Sequence, residues 1–283
     1  LLAAPFAAYA ASCVPTPDSD RAHAARALGS IYMLGIGKNG GAGYVVDPRG
    51  YLITNEHVAA RAKRLRGAPG DPDPRVLEIC QGLEECSATE ITPDGRIDPS
   101  RLRVYAEVVA RDAASDLALM RVLSDKGMTA LSWSAAAGEG GVVAVRAVPD
   151  DWGAVTTGRV RSRAVRRLPP GHESMDLKSV AVWMSDVDTK PGHSGTPLLD
   201  RCDGGVMGTV FGGKGRTASD GETYFTPAAE ARRLWERSAA AVTAAEARVN
   251  APGYWDGVKA RIVADMERAF REMPPPPKAA PRR

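Results

Sequence analysis

The chain has 283 residues, 44% of them hydrophobic and 25% charged, a globular balance that excludes disorder throughout and suffices for a large core without staples. With 37 Lys and Arg against 34 Asp and Glu the net charge is only +3, too small to argue for nucleic acid, and no run approaches the roughly eighteen apolar residues of a membrane span. The 29 Gly and 21 Pro predict many turns between short strands.

The chain opens LLAAPFAAYAASC, without charge before Asp18, as expected of the tail of a secretory signal and hence of an exported (periplasmic or secreted) protein. Lipid anchoring through Cys13 is not expected, because Ala10 stands where a larger aliphatic residue is usual. A short helix is predicted over residues 19–28, capped by Ser19 or Asp18 and ended by Gly29; residues 1–29 thus form one unit. From Ile31 to about Phe211 the pattern becomes SIYMLGI, GYVVD, YLITNEHV, RVYAEVVARD, LALMRV, GVVAVRAV, AVTTGRVRSRAV, SVAVWMSDV and GVMGTVFG. These are short β-rich runs with almost no helix between them, and they argue for closed antiparallel barrels. The fold class predicted is mainly β: two six-stranded antiparallel barrels over residues 30–227, with C-terminal helices.

Residues 61–100 read as an insertion of turns and charge. Within it Cys80 and Cys86 are predicted to form a disulfide in an exported protein; Cys13 and Cys202 could pair or stay free. Thr226 and Pro227 read as the cap and first residue of a helix that Asn250 and the Ala-Pro-Gly after it break. A second stripe follows at Trp255, Val258, Ile262, Met266 and Phe270. Residues 228–273 are thus a helical extension, able to mediate oligomerisation, and residues 274–283 a proline-rich basic tail. Neither a C-x-x-C pair nor paired His spacing occurs, so no structural metal site is predicted, nor any cofactor.

Three segments carry chemistry. His57 ends the strand in GYLITNEHVAA, Asp116 precedes the strand in DAASDLALMRV, and Ser194 lies between small residues in KPGHSGTPLLD. A serine hydroxyl needs a neighbouring base to become a nucleophile, and histidine can take and return its proton. A carboxylate on the far ring nitrogen fixes the tautomer. The backbone N–H groups of Gly192 and Ser194 are the candidate oxyanion donors. Arg159, Arg161 and Arg163 alternate on one solvated strand face, and His23 and His172 read as surface histidines.

At these residues the sequence resembles the trypsin-like serine peptidases, in particular the bacterial branch with the high-temperature-requirement proteases. The resemblance implies a triad of His57, Asp116 and Ser194 in the cleft between the barrels, and a polypeptide substrate. His193 departs from it, standing where animal members carry an Asp that pairs with a freshly cut N-terminus, and Thr196 stands where Gly is usual. By the same resemblance Asp188, six residues before the nucleophile, lies at the base of the pocket for the residue preceding the cut, and Phe211 on its wall. Asp188 would favour Arg or Lys there unless Lys190 neutralises it, and Asp186 offers a rival register; the bacterial branch implies a small aliphatic residue. A catalytically degenerate binding or scaffold protein is the alternative to an active peptidase.

Overall fold

The computed structural model describes residues 13–35, 40–64, 75–81, 104–124, 126–135, 141–146, 151–168, 172, 174–214 and 221–272. The leader stretch, Cys86 and the basic tail lie outside these residues.

Helix α1 (Pro17–Leu28) begins two residues before the predicted start. Thr16 Oγ1 accepts the Ser19 N–H at 3.1 Å while Ser19 Oγ accepts the Thr16 N–H at 3.0 Å, and Pro17 supplies a preset first residue. Cys13 and Cys202 are paired in a disulfide, and Arg201 donates to Asp20 at 2.9 and 2.5 Å. The start of α1 is therefore bound twice to the second barrel.

The first sheet comprises β1 (Ile31–Leu34), β2 (Gly41–Asp47), β3 (Tyr51–Thr54), β4 (Lys63–Arg64), β5 (Arg75–Cys80), β6 (Val104–Asp112) and β7 (Leu117–Val122). Its order is β1-β2-β3-β7-β6-β5-β4, and the added pairing of β1 with β5, Met33 opposite Cys80, closes six strands into a barrel. Strand β5 falls inside the stretch read as turns and charge. Cys80, at its end, is disulfide-bonded.

The second sheet comprises β8 (Val142–Val145), β9 (Val155–Gly158), β10 (Val160–Ser162), β11 (Trp183–Ser185), β12 (Pro197–Asp200), β13 (Val206–Lys214) and β14 (Glu222–Pro227). Its order is β10-β11-β14-β13-β12-β8-β9. The seventh strand arises because the predicted run AVTTGRVRSRAV is interrupted at Arg159, whose N–H turns to Asp186 Oδ1 at 2.6 Å. A Cβ on Gly158 would lie 2.5 Å from that same oxygen, so the chain can cross there only at glycine.

Alternation along the strands divides the core. Val45, Leu52, Ile79 and Met120 fill the first barrel, and Ala144, Leu198, Val210 and Phe225 the second. Tyr44, Tyr51, Ile53, Leu119, Val143 and Leu199 face the other way, into one apolar layer between the barrels. Tyr44 and Thr209 share a buried hydroxyl hydrogen bond of 2.8 Å across it.

Four further helices among the described residues are α2 (Glu56–Ala59), α3 (Ala228–Arg237), α4 (Ala239–Val249) and α5 (Tyr254–Glu272). Thr226 does not cap α3. It lies within β14, one residue before its end, paired with Thr209, and its hydroxyl donates to the Ser115 carbonyl at 3.0 Å. The helix predicted to run unbroken to residue 249 divides at Ser238, whose hydroxyl donates to the Leu234 carbonyl at 2.7 Å. Ala231, Leu234 and Val242 seal the inter-barrel layer, while Val258 and Ile262 pack on Val76 of the first barrel. In that contact Tyr254 stands where Trp255 was expected, its hydroxyl donating to Glu107 Oε2 at 2.7 Å. The Phe270 side chain lies outside the described residues.

Candidate active site

His57 sits on α2, the single helical turn that follows β3, rather than on the strand itself. Asp116 closes the turn before β7 with φ of +49°, a left-handed conformation that Asp tolerates better than most residues. Three hydrogen bonds hold it there. His57 Nδ1–H donates to Asp116 Oδ2 at 2.8 Å, the His57 backbone N–H donates to Oδ1 at 3.0 Å, and Asn55 Nδ2 donates to the Asp116 carbonyl at 3.0 Å. The carboxylate is 5% exposed and the imidazole 32%, so one ring nitrogen is fixed in the protein and the other side is open to the cleft.

Ser194 lies between Gly192 and Gly195, at φ of +98° and +86°. A Cβ on Gly195 would sit 1.8 Å from the Ala42 carbonyl oxygen, so β2 approaches as closely as glycine permits. The Ala42 N–H donates to the Ser194 carbonyl at 2.7 Å, and the Gly195 N–H to the Val210 carbonyl at 2.7 Å. The Ser194 loop is thus stitched to both barrels. Among the described residues, the N–H groups of Gly192 and Ser194 have no acceptor in the protein. The Ser194 hydroxyl donates to the Phe211 carbonyl at 3.3 Å.

His193 is 2% exposed. Its Nδ1 accepts the Lys190 N–H at 3.0 Å, which leaves the proton on Nε2. Burial, with the Arg146 guanidinium nearby, pushes it down to about 4, so the residue before Ser194 is a neutral imidazole. Arg146 donates to Asp188 Oδ2 at 2.6 Å and also pairs with Asp151, which Lys190 Nζ approaches at 3.4 Å. Asp188 therefore has a cationic partner of its own. Phe211 touches Ser194 through its carbonyl, while its ring packs with Met175, Val182 and Tyr224.

The two histidines read as surface residues are not on the surface. His23 is 8% exposed, because Gly204 lies against its ring. His172 has a side chain 15% exposed, with its ring 5.4 Å from that of His57 and 4.9 Å from that of Phe211. No sequence pattern places it there; the loop between β10 and β11 does, by folding onto the Asp116 turn. Arg159, Arg161 and Arg163 are exposed as predicted, Arg161 paired with Asp186 and Arg163 over the Trp183 ring.

The sequence pattern of the trypsin-like peptidase domain matches residues 41–208, from the strand that contacts Ser194 to the strand after it. The chain belongs to the trypsin-like peptidase family. Among solved structures similar to this trypsin-like chain is Rv3671c protease of M. tuberculosis H37Rv in an inactive form. The TM-score is 0.55 and the identity 21%, over 80% of this chain and 98% of that one. The HtrA-type protease AlgW with a tripeptide gives 0.53 and 21%, over 76% and 62%. A curated relative, "Uncharacterized protein y4bJ" of Sinorhizobium fredii, is 30% identical over 181 residues. That match takes in 62% of this chain but only 22% of the relative, so the chain spans about a fifth of its length.

Proposed function

We propose that this chain is an exported serine endopeptidase that cuts polypeptides through an acyl-enzyme. The observation that carries the reading is the His57–Asp116 pair, with both carboxylate oxygens engaged and the imidazole open to the cleft that holds Ser194. In this reading the Ser194 hydroxyl turns from the Phe211 carbonyl to His57 Nε2 when substrate enters. Its oxygen forms a bond to the scissile carbonyl carbon as His57 takes the proton. Asp116 stabilises the imidazolium, and the N–H groups of Gly192 and Ser194 receive the oxyanion. The C–N bond then breaks as His57 returns the proton to the leaving amine, and water releases the acyl group by the same route. Export is supported by the Cys13–Cys202 disulfide, since such bonds persist in oxidising compartments. A small aliphatic residue before the cut is favoured, because Asp188 is already paired with Arg146.

A fluorophosphonate probe tests the reading: it should label the folded chain at Ser194 and leave Ser194→Ala unlabelled. The alternative, a noncatalytic trypsin-fold scaffold, draws support from the Ser194 hydroxyl being engaged by the Phe211 carbonyl. Absence of labelling in the folded protein would favour it.

A further inference from the structure

We propose that His172, together with the His57–Asp116 pair, forms a binding site for a divalent zinc-like cation that switches the peptidase off. This rests on the reading of His57 as the general base. One ligand atom from each of His57, Asp116 and His172 lies within 4.8 Å of the other two. His57 Nδ1 and His172 Nδ1 lie 2.8 and 3.8 Å from the same oxygen, Asp116 Oδ2. Ligand atoms of a tetrahedral zinc sit about 3.3–3.5 Å apart, given metal–ligand bonds of about 2.0–2.1 Å. These separations bracket that value, so small turns of the two rings would bring three ligands around one ion. Two imidazoles and one carboxylate suit zinc and its d-block neighbours, whereas magnesium and calcium favour all-oxygen shells.

The placement of His172 is built into the fold. The Asp176 N–H donates to the Ala114 carbonyl at 3.1 Å and the Met175 N–H to the His172 carbonyl at 3.1 Å, which ties the loop to the Asp116 turn. The Phe211 ring then meets the His172 ring edge-on at 62°. The site is partly enclosed, with exposures of 32, 5 and 15% for the three side chains in chain order.

Either ring nitrogen of His57 gives the same consequence. A metal on Nε2 occupies the lone pair that would accept the serine proton. A metal on Nδ1 displaces the proton that Asp116 holds, and a proton on Nε2 leaves the ring a donor only. The cation therefore removes the base in both cases, without touching Ser194.

The test uses the full chain and zinc ion alone. Binding is read by titration calorimetry on Ser194→Ala, so that it does not depend on turnover, and casein hydrolysis is followed in the wild type with and without chelator. One zinc per chain is expected, with reversible loss of at least nine tenths of the activity. His172→Phe, which keeps a ring against Phe211, and His172→Gln should each weaken binding at least tenfold in the Ser194→Ala background. In the active chain each should desensitise hydrolysis in proportion, relative to its own metal-free rate. Circular dichroism identifies whichever variant folds. No stoichiometric binding, or binding and inhibition unchanged in a folded His172 variant, would overturn the proposal. Zinc binding that needs His172 in a wild-type chain without peptidase activity would support the site and refute the peptidase reading instead.

Discussion

Arg146 and Asp188 are joined by a 2.6 Å ion pair, with the arginine only 9% exposed. A carboxylate matched in this way has less to offer a basic substrate side chain. Paired peptide substrates with Val or Arg before the cut should differ at least tenfold in kcat/KM in favour of Val. Asp188→Ala should not reverse the order. Preference for Arg that disappears in Asp188→Ala would show the carboxylate to be the specificity determinant.

Ser194→Ala should abolish turnover, a loss on the order of 10⁶ for a triad nucleophile. Asp116→Asn should lower kcat by about 10⁴, because the amide favours the wrong imidazole tautomer. The folded state should survive both changes, as Asn also tolerates the φ of +49°. Progress curves and thermal melts on the same preparations check both parts.

His193 gives the protein a pH dependence of stability. Its folded value, about 4, lies below the ordinary 6.5. Between those two values the unfolded chain binds a proton that the native chain refuses, so stability falls as the pH drops through that window and levels off below it. The loss amounts to roughly 2–4 kcal/mol. Urea unfolding at pH 7.5 and 4.5, in a Ser194→Ala background, should show that His193→Gln removes this share of the difference. An identical difference in both chains would mean that other groups supply it.

The Cys13–Cys202 bond links residues 189 apart in sequence, and constraining so long a loop stabilises by about 5 kcal/mol in the chain-entropy estimate. A Cys13→Ser, Cys202→Ser double variant should therefore unfold at clearly lower denaturant than the wild type. An unchanged midpoint would mean that the Asp20–Arg201 pair and the α1 packing hold the N-terminal segment unaided.

Gly195→Ala should be more damaging than its single methyl suggests. The new Cβ would meet the Ala42 carbonyl at 1.8 Å at a backbone angle that disfavours it. Relief requires moving β2 or the nucleophile loop, so stability should fall by about 2–4 kcal/mol and activity with it. A variant with wild-type melting and turnover would contradict the close approach.

The fold class was legible in period-two apolar runs, and the candidate segments at His57, Asp116 and Ser194 stood out by local patterns such as the small residues around a lone serine. Strand β5 was not legible, because the Gly, Asp and Pro of GDPDP before it and the charged, turn-rich sequence after it mask six strand residues. Strand β14 was misread at Thr226-Pro227, where a helix-start signal coincides with a strand end whose hydroxyl serves Ser115 instead. His172 and Arg146 carried no local signal. Their placements follow from loops and strands that meet only when the barrels are assembled, and the burial of His193 is likewise a product of that assembly.

Among the described residues, closure of the first barrel by β1 and β5 leaves that sheet no long free margin, with just the two residues of β4 beyond the ring. The second barrel does have margins, β9 and β10. On one of them, β10, Arg161 is flanked by Arg159 and Arg163 just outside the strand, and all three are exposed. Two copies docking side by side there would bring like charges together, with Arg161 alone offset by its pair with Asp186, which discourages lateral growth of the sheet into aggregates. At this margin the chain keeps itself apart by charge; around the first barrel it does so by geometry.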